Sequence, residues 1–97
     1  MSKVVLATTL ARWLPATALA GNGEAVMEVD AATVGEALDA AFAMHPTLRG
    51  YVLDDQGAVR HHLAIFVDGT SIPGKTSLQM PIESGAEVYV MQALSGG

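Results

Sequence analysis

The residues best suited to do chemistry in this 97-residue chain are its last two, Gly96-Gly97. A C-terminal carboxyl has an ordinary pKa of about 3.3–3.7, so near neutral pH it is an anion and a poor electrophile. It becomes an acyl donor only once one of its oxygens has been turned into a leaving group. Two residues without Cβ suit such an end, because they can pass through a channel too narrow for any side chain. Together with Leu94 and Ser95, they reach about 13 Å when extended, at about 3.3 Å per residue. The chain is therefore expected to divide into a folded domain over residues 1–93 and a flexible tail over 94–97.

Other groups offer less. There is no cysteine, and hence no thiol nucleophile, thiolate metal site or disulfide. His61 and His62 follow Arg60, but successive strand residues point to opposite faces, so the two imidazoles cannot share one metal ion without a bulge. No metal site is expected. Asp54-Asp55 resemble an acid–base pair, yet Gln56-Gly57 follow them, which makes a solvated turn the better reading. His45 suits a helix C-terminus, where positive charge meets the negative end of the dipole. Trp13 reads as a core plug and Lys75 as a lone surface cation. No nucleophile, base and metal converge in sequence, so the expectation is a protein cosubstrate with no cofactor of its own rather than an enzyme.

The tail needs an anchor, and Gly85-Ala86-Glu87-Val88-Tyr89-Val90-Met91-Gln92-Ala93 supplies one as a strand. Val88 and Val90 would face the core while Tyr89 and Met91 are apolar on the other face, which places the strand centrally. Upstream, residues 3–10 alternate as a first strand, 11–20 read as an irregular connection, and Gly21-Asn22-Gly23 is a turn before a second strand over 24–30. Thr33-Val34-Gly35-Glu36 is a capping box, and Val34, Leu38, Ala41 and Phe42 form one apolar helical stripe behind it. Pro46 ends that helix. Residues 47–60 are a long connection with a helical turn near Leu48. The run His62-Leu63-Ala64-Ile65-Phe66-Val67 is a strand closed by the hairpin turn Asp68-Gly69, and Ser71-Ile72 is a short edge strand. The order is strand, strand, helix, strand, short strand, strand. The first and last strands are expected to lie parallel, joined by a right-handed crossover.

Composition agrees with one small domain: 51% of residues are hydrophobic and 15% charged. A net charge of −5 repels nucleic acid and anionic lipid, so a charged partner surface should be basic. The segment around Lys3, Val4-Val5-Leu6-Ala7 and Ala18-Leu19-Ala20 imitates a secretory signal, but Arg12 and Pro15 interrupt it, and it is expected to fold. A cysteine-free chain suits a reducing compartment, and a cytoplasmic location is expected. No membrane partner is expected.

With this order and this ending the chain resembles the ubiquitin-like sulfur carriers of prokaryotes, the MoaD/ThiS-like β-grasp proteins. Their last strand opens on Gly-Asp/Glu-Glu-Val and closes on Gly-Gly. Here Gly85-Ala86-Glu87-Val88 and Gly96-Gly97 correspond, with Ala86 in place of the acidic residue. Leu63-Ala64-Ile65-Phe66-Val67-Asp68-Gly69 and Thr33-Val34-Gly35-Glu36-Ala37-Leu38 are similar to the family's third strand and helix opening. The length around residues 51–60 makes the chain most similar to the carrier that feeds cysteine synthesis. The resemblance implies an α+β fold, a mixed four- to five-stranded sheet on one main helix. It also implies that an activating enzyme using ATP adenylates Gly97 and that sulfide or a persulfide converts it to a thiocarboxylate. A sulfur-accepting enzyme, or a larger synthase subunit as in molybdopterin synthase, would then take the sulfur. Phe66, Tyr89 and Met91, with Val5 beside them, are expected to form an exposed docking patch, and Leu94 and Ser95 to continue it into the tail. Conjugation through Gly97 as a protein modifier and a plain interaction module remain the alternatives.

Overall fold

The computed structural model describes residues 1–12, 14–72 and 77–92. Five strands form one sheet: β1 (Ser2–Leu6), β2 (Ala25–Val29), β3 (Leu63–Val67), β4 (Thr70–Ile72) and β5 (Glu87–Gln92), in the order β2-β1-β5-β3-β4. The main helix is α2 (Val34–Met44), with shorter helices α1 (Thr8–Ala11) and α3 (Leu48–Val52). As the apolar pattern required, β5 is central. It lies parallel to β1 and antiparallel to β3, while β1 pairs with β2 and β3 with β4 in antiparallel fashion.

One strand is shorter than the sequence suggests. Alternation continues to Leu10, but β1 ends at Leu6 and the chain turns into α1, whose Leu10 and Ala11 are buried. The last tie to the sheet is the Ala7 N–H, which donates to the Val90 carbonyl at 2.9 Å. Leu10 is apolar and inward under either reading, so hydropathy alone could not separate a longer strand from a short helix.

The core lies between the sheet's inner face and α2. Val4, Leu6, Val88 and Val90 from the strands meet Val34, Ala37, Leu38 and Ala41 from the helix, all essentially fully buried. Thr33 caps α2 by accepting from the Glu36 N–H at 3.1 Å, and the Glu36 carboxylate reaches back to the Ala32 N–H at 3.0 Å. The reciprocal cap therefore closes one residue earlier than the Thr33 N–H that a standard capping box uses. Gly35, in the first turn of α2, is required by packing. A Cβ there would lie 2.8 Å from the Leu78 carbonyl oxygen in the turn Ser77–Gln79.

The connection after α2 is more ordered than an open loop. It contains α3, and a bridge between Leu53 and Val59 closes around the turn at Asp54. The Asp54 carboxylate accepts from the Gln56 and Ala58 N–H groups at 2.8 and 3.0 Å. Those bonds, Ala58 first, hold its pKa below the ordinary value. Asp54 thus serves the turn, as read from sequence. Among the described residues no helix is long and apolar enough to cross a membrane.

Candidate functional site

A site built around the end of β5 depends first on how firmly that strand is held. Its inner residues Val88 and Val90 are buried, and both flanks are paired: Lys3 to Leu6 of β1 against Glu87 to Val90, and Leu63 to Val67 of β3 against Gln92 to Val88. Gln92, opposite Leu63, is the last described residue of the strand. Leu94, Ser95, Gly96 and Gly97 lie outside the described residues, as do Trp13 and Lys75.

Three strand ends gather where β5 runs out. Since β1 is parallel to β5, its end and the start of α1 are there; since β3 is antiparallel, so are Arg60, His61 and His62, which lead into it. His61 and His62 are exposed in a turn. Among the described residues no group of three or more His, Asp and Glu side chains is arranged to hold a metal ion.

The outer face of the sheet brings the expected patch together. The register sets Phe66 of β3 opposite Tyr89 of β5, Tyr89 opposite Val5 of β1, and Val5 opposite Val26 of β2; Met91 is opposite Ala64. The patch is less open than the sequence reading has it. Phe66, Tyr89 and Met91 are half-buried, and Val5 is 4% exposed, so it is the floor of the patch rather than a contact surface. Val26, at the strip's β2 end, is exposed.

Sequence reasoning missed one polar element here. The Tyr89 hydroxyl donates to Glu24 Oε2 at 2.6 Å, Asn22 Nδ2 donates to Glu24 Oε1 at 2.9 Å, and the Glu24 N–H donates to Asn22 Oδ1 at 2.9 Å. Tyr89 and Glu24 are 65 residues apart, and only the β2-β1-β5 order makes them neighbours. The hydrogen bond to Glu24, then burial, then the charges of Glu24 and Glu87 raise the Tyr89 pKa above its ordinary 10.0. A raised folded-state value means that the bond stabilises the fold at neutral pH and that this contribution is lost as pH rises through that value. Tyr89→Phe should lower stability by about 1 kcal/mol in urea unfolding. In a spectrophotometric titration of the wild type, Tyr89 should ionise above 10.0, and Glu24→Gln should bring it back towards that value.

A mixed five-stranded sheet with parallel first and last strands grasping one principal helix defines the ubiquitin-like β-grasp class, an α+β fold. The comparisons agree with the geometry. The model of the ThiS family matches residues 14–97, and the chain belongs to that family. Small archaeal modifier protein 1 of Haloferax volcanii is 32% identical over 80 residues, which covers 81% of this chain and 87% of that protein. A crystal structure of the same archaeal protein superposes with a TM-score of 0.70 at 30% identity, covering 99% of this chain and 98% of that one. The Amycolatopsis orientalis BexX/CysO complex contributes a chain with a TM-score of 0.76 and full coverage of both chains, at 20% identity, which is a likeness of fold. The chain is thus a small ubiquitin-like β-grasp protein of the ThiS family.

Proposed function

We propose that this chain is a sulfur carrier whose C-terminal Gly97 is the working group. In the first step the Gly97 carboxylate attacks the α-phosphorus of ATP on an activating enzyme, and pyrophosphate leaves. In the second, hydrosulfide from a sulfide source attacks the acyl carbon and expels AMP, leaving a thiocarboxylate. A sulfur-accepting enzyme then takes the sulfur. ATP belongs to the partner; the carrier contributes a narrow end and a surface by which it is held.

The observation that carries this reading is the membership of the ThiS family over residues 14–97, a match that runs through Gly96-Gly97. It is supported by a central strand, β5, fixed on both flanks immediately before the tail. A second reading, conjugation of Gly97 to amines of other proteins, is favoured by the relative whose name is that of a modifier. The two share the adenylate and differ in product. The test is intact-mass analysis after incubation with the adenylating enzyme of the same organism, ATP and sulfide. A carrier gains the mass difference between sulfur and oxygen; a modifier appears instead in conjugates of higher mass. Recovery of unmodified protein alone, with ATP unconsumed, would refute both.

Phe66, Tyr89 and Met91, continued by Leu94 and Ser95, form the docking strip in this proposal. Half-buried aromatic groups are already ordered, so little conformational freedom is lost on binding. Phe66→Ala should weaken the complex with the activating enzyme by about 1–3 kcal/mol. Titration calorimetry measures this, and an unchanged affinity would remove Phe66 from the interface.

A further inference from the structure

The outer face of the sheet is electrically lopsided along the strand direction. Across its edge farthest from the tail, the register lines up Glu28 of β2, Lys3 of β1 and Glu87 of β5. Asp68 completes the row, its carboxylate accepting from the Glu87 N–H at 2.9 Å. Three carboxylates thus stand in this row with the ammonium group of Lys3, while the Met1 α-ammonium, which donates to Ser84 Oγ at 3.2 Å, lies beside the row. Lys3 Nζ is 3.5 Å from Glu87 Oε2, with the two side chains 47% and 38% exposed. Glu28 is exposed and has no ion-pair partner among the described residues. A recess of about 280 Å³ lined by Met1, Ser2, Lys3, Glu28 and Gly85 opens beside it. The next row towards the tail is the apolar strip of Val26, Val5, Tyr89 and Phe66. Beyond that strip stands Glu24, already committed to the Tyr89 hydroxyl and the Asn22 amide.

On the reading that an activating enzyme docks on this face, we infer that the enzyme sets basic side chains, arginine or lysine, against the Glu28–Glu87–Asp68 edge and apolar side chains against the strip. On that edge Glu28 is exposed with no ion-pair partner among the described residues, Asp68 is exposed although it accepts from the Glu87 N–H, and Glu87 shares only a solvent-exposed pair with Lys3. The carboxylate at the tail edge, Glu24, is instead bonded to Tyr89 and Asn22. Complementary charge on one edge only makes the two orientations of the carrier unequal. It admits the one in which the tail points into the active site and penalises its reverse by setting like or unpaired charges together. The rise of the strand fixes the spacing. The basic groups should lie about 16 Å from the point where the chain leaves Gln92, at about 3.3 Å per residue along β5.

Two substitutions of opposite sign test this. Glu28→Lys reverses the charge of the exposed carboxylate, and Lys3→Gln removes the cation that competes with the partner's own. Both positions lie on the outer face, away from the core, and thermal melts check that the variants are folded. Association with the adenylating enzyme of the same organism is followed by stopped-flow fluorescence at low salt and at about 1 M NaCl, where the Debye length falls to about 3 Å. At low salt Glu28→Lys should associate about tenfold more slowly than wild type, and Lys3→Gln faster. At high salt the three rates should converge. Rates for both variants equal to wild type at low salt, or a difference that high salt leaves intact, would overturn the inference. Conversion to the thiocarboxylate at saturating enzyme separates the two readings. Normal conversion with unaltered association rates refutes the basic edge and leaves the carrier role standing, whereas failure of the wild-type chain to bind refutes both.

Discussion

A Gly96→Val chain should melt at the wild-type temperature, bind the activating enzyme, and fail to acquire sulfur. The described core includes Val88 and Val90 of β5, and a glycine has no side chain to contribute to a core, so the substitution should leave the folded body intact. Docking on Phe66, Tyr89 and Met91 is likewise untouched. What changes is the passage of the tail: a β-branched side chain adds bulk that a channel fitted to residues without Cβ does not admit. The carboxylate oxygen of Gly97 then sits displaced from the α-phosphorus. A misplacement on the order of 1 Å can cost about a hundredfold in rate, and loss of conversion by at least about that factor is expected in single-turnover mass spectrometry. Gly96→Ala should fall between the two. Wild-type conversion by Gly96→Val would mean that no narrow channel receives this end, and the reason for its two glycines would have to be sought elsewhere.

The contrast with Phe66→Ala separates two contributions of one surface. On the proposed docking Phe66 would act on the stability of the complex and Gly96 on the chemistry within it, so the first should be rescued by raising enzyme concentration and the second should not. The basic edge inferred for the partner adds a third, the rate and orientation of approach, which only salt suppresses.

Much of this arrangement is legible in the residues because several local rules agree. Thr33 and Glu36 announce the start of α2, and Asp68-Gly69 announces a hairpin in which both residues adopt positive φ, 49° and 84°. The apolar run through Val88, Tyr89, Val90 and Met91 announces a central strand. The residues that defeated the reading did so for physical reasons. Thr8 and Leu10 satisfy a strand and a helix equally. The position of the Glu36 carboxylate depends on the path of the chain before Thr33. The half-burial of Phe66 and Tyr89 and the Glu24–Tyr89 bond are products of register, which places side chains from β2, β1, β5 and β3 in one row. A single sequence gives the period of each strand but not the alignment of one against the next.

Leu6→Ala should be the most damaging of the conservative core truncations, and its effect on the tail should be indirect. Leu6 is 1% exposed and is the last residue of β1, between Ala25 of β2 and Val90 of β5, so it packs within the core under the sheet's inner face. Both neighbours are backbone-paired on either side, which restrains the collapse that would otherwise fill the space left by the lost methyl groups. Truncations of this kind cost about 2–5 kcal/mol, and the upper part of that range belongs to sites that cannot relax. A loss of about 3 kcal/mol in a chain of this size moves Tm down by roughly 12–24 °C. Domains typically have about 5–15 kcal/mol in total, so most molecules should remain folded well below the new midpoint. Thermal denaturation followed by circular dichroism gives the shift. Sulfur transfer to Gly97 measured below that midpoint should stay within about twofold of wild type, since the tail and the docking strip are unchanged in the folded fraction. If conversion instead fell in step with Gly96→Val while the protein was still folded, packing beneath β5 would be controlling the tail directly, and the division between a presenting body and a working end would not hold.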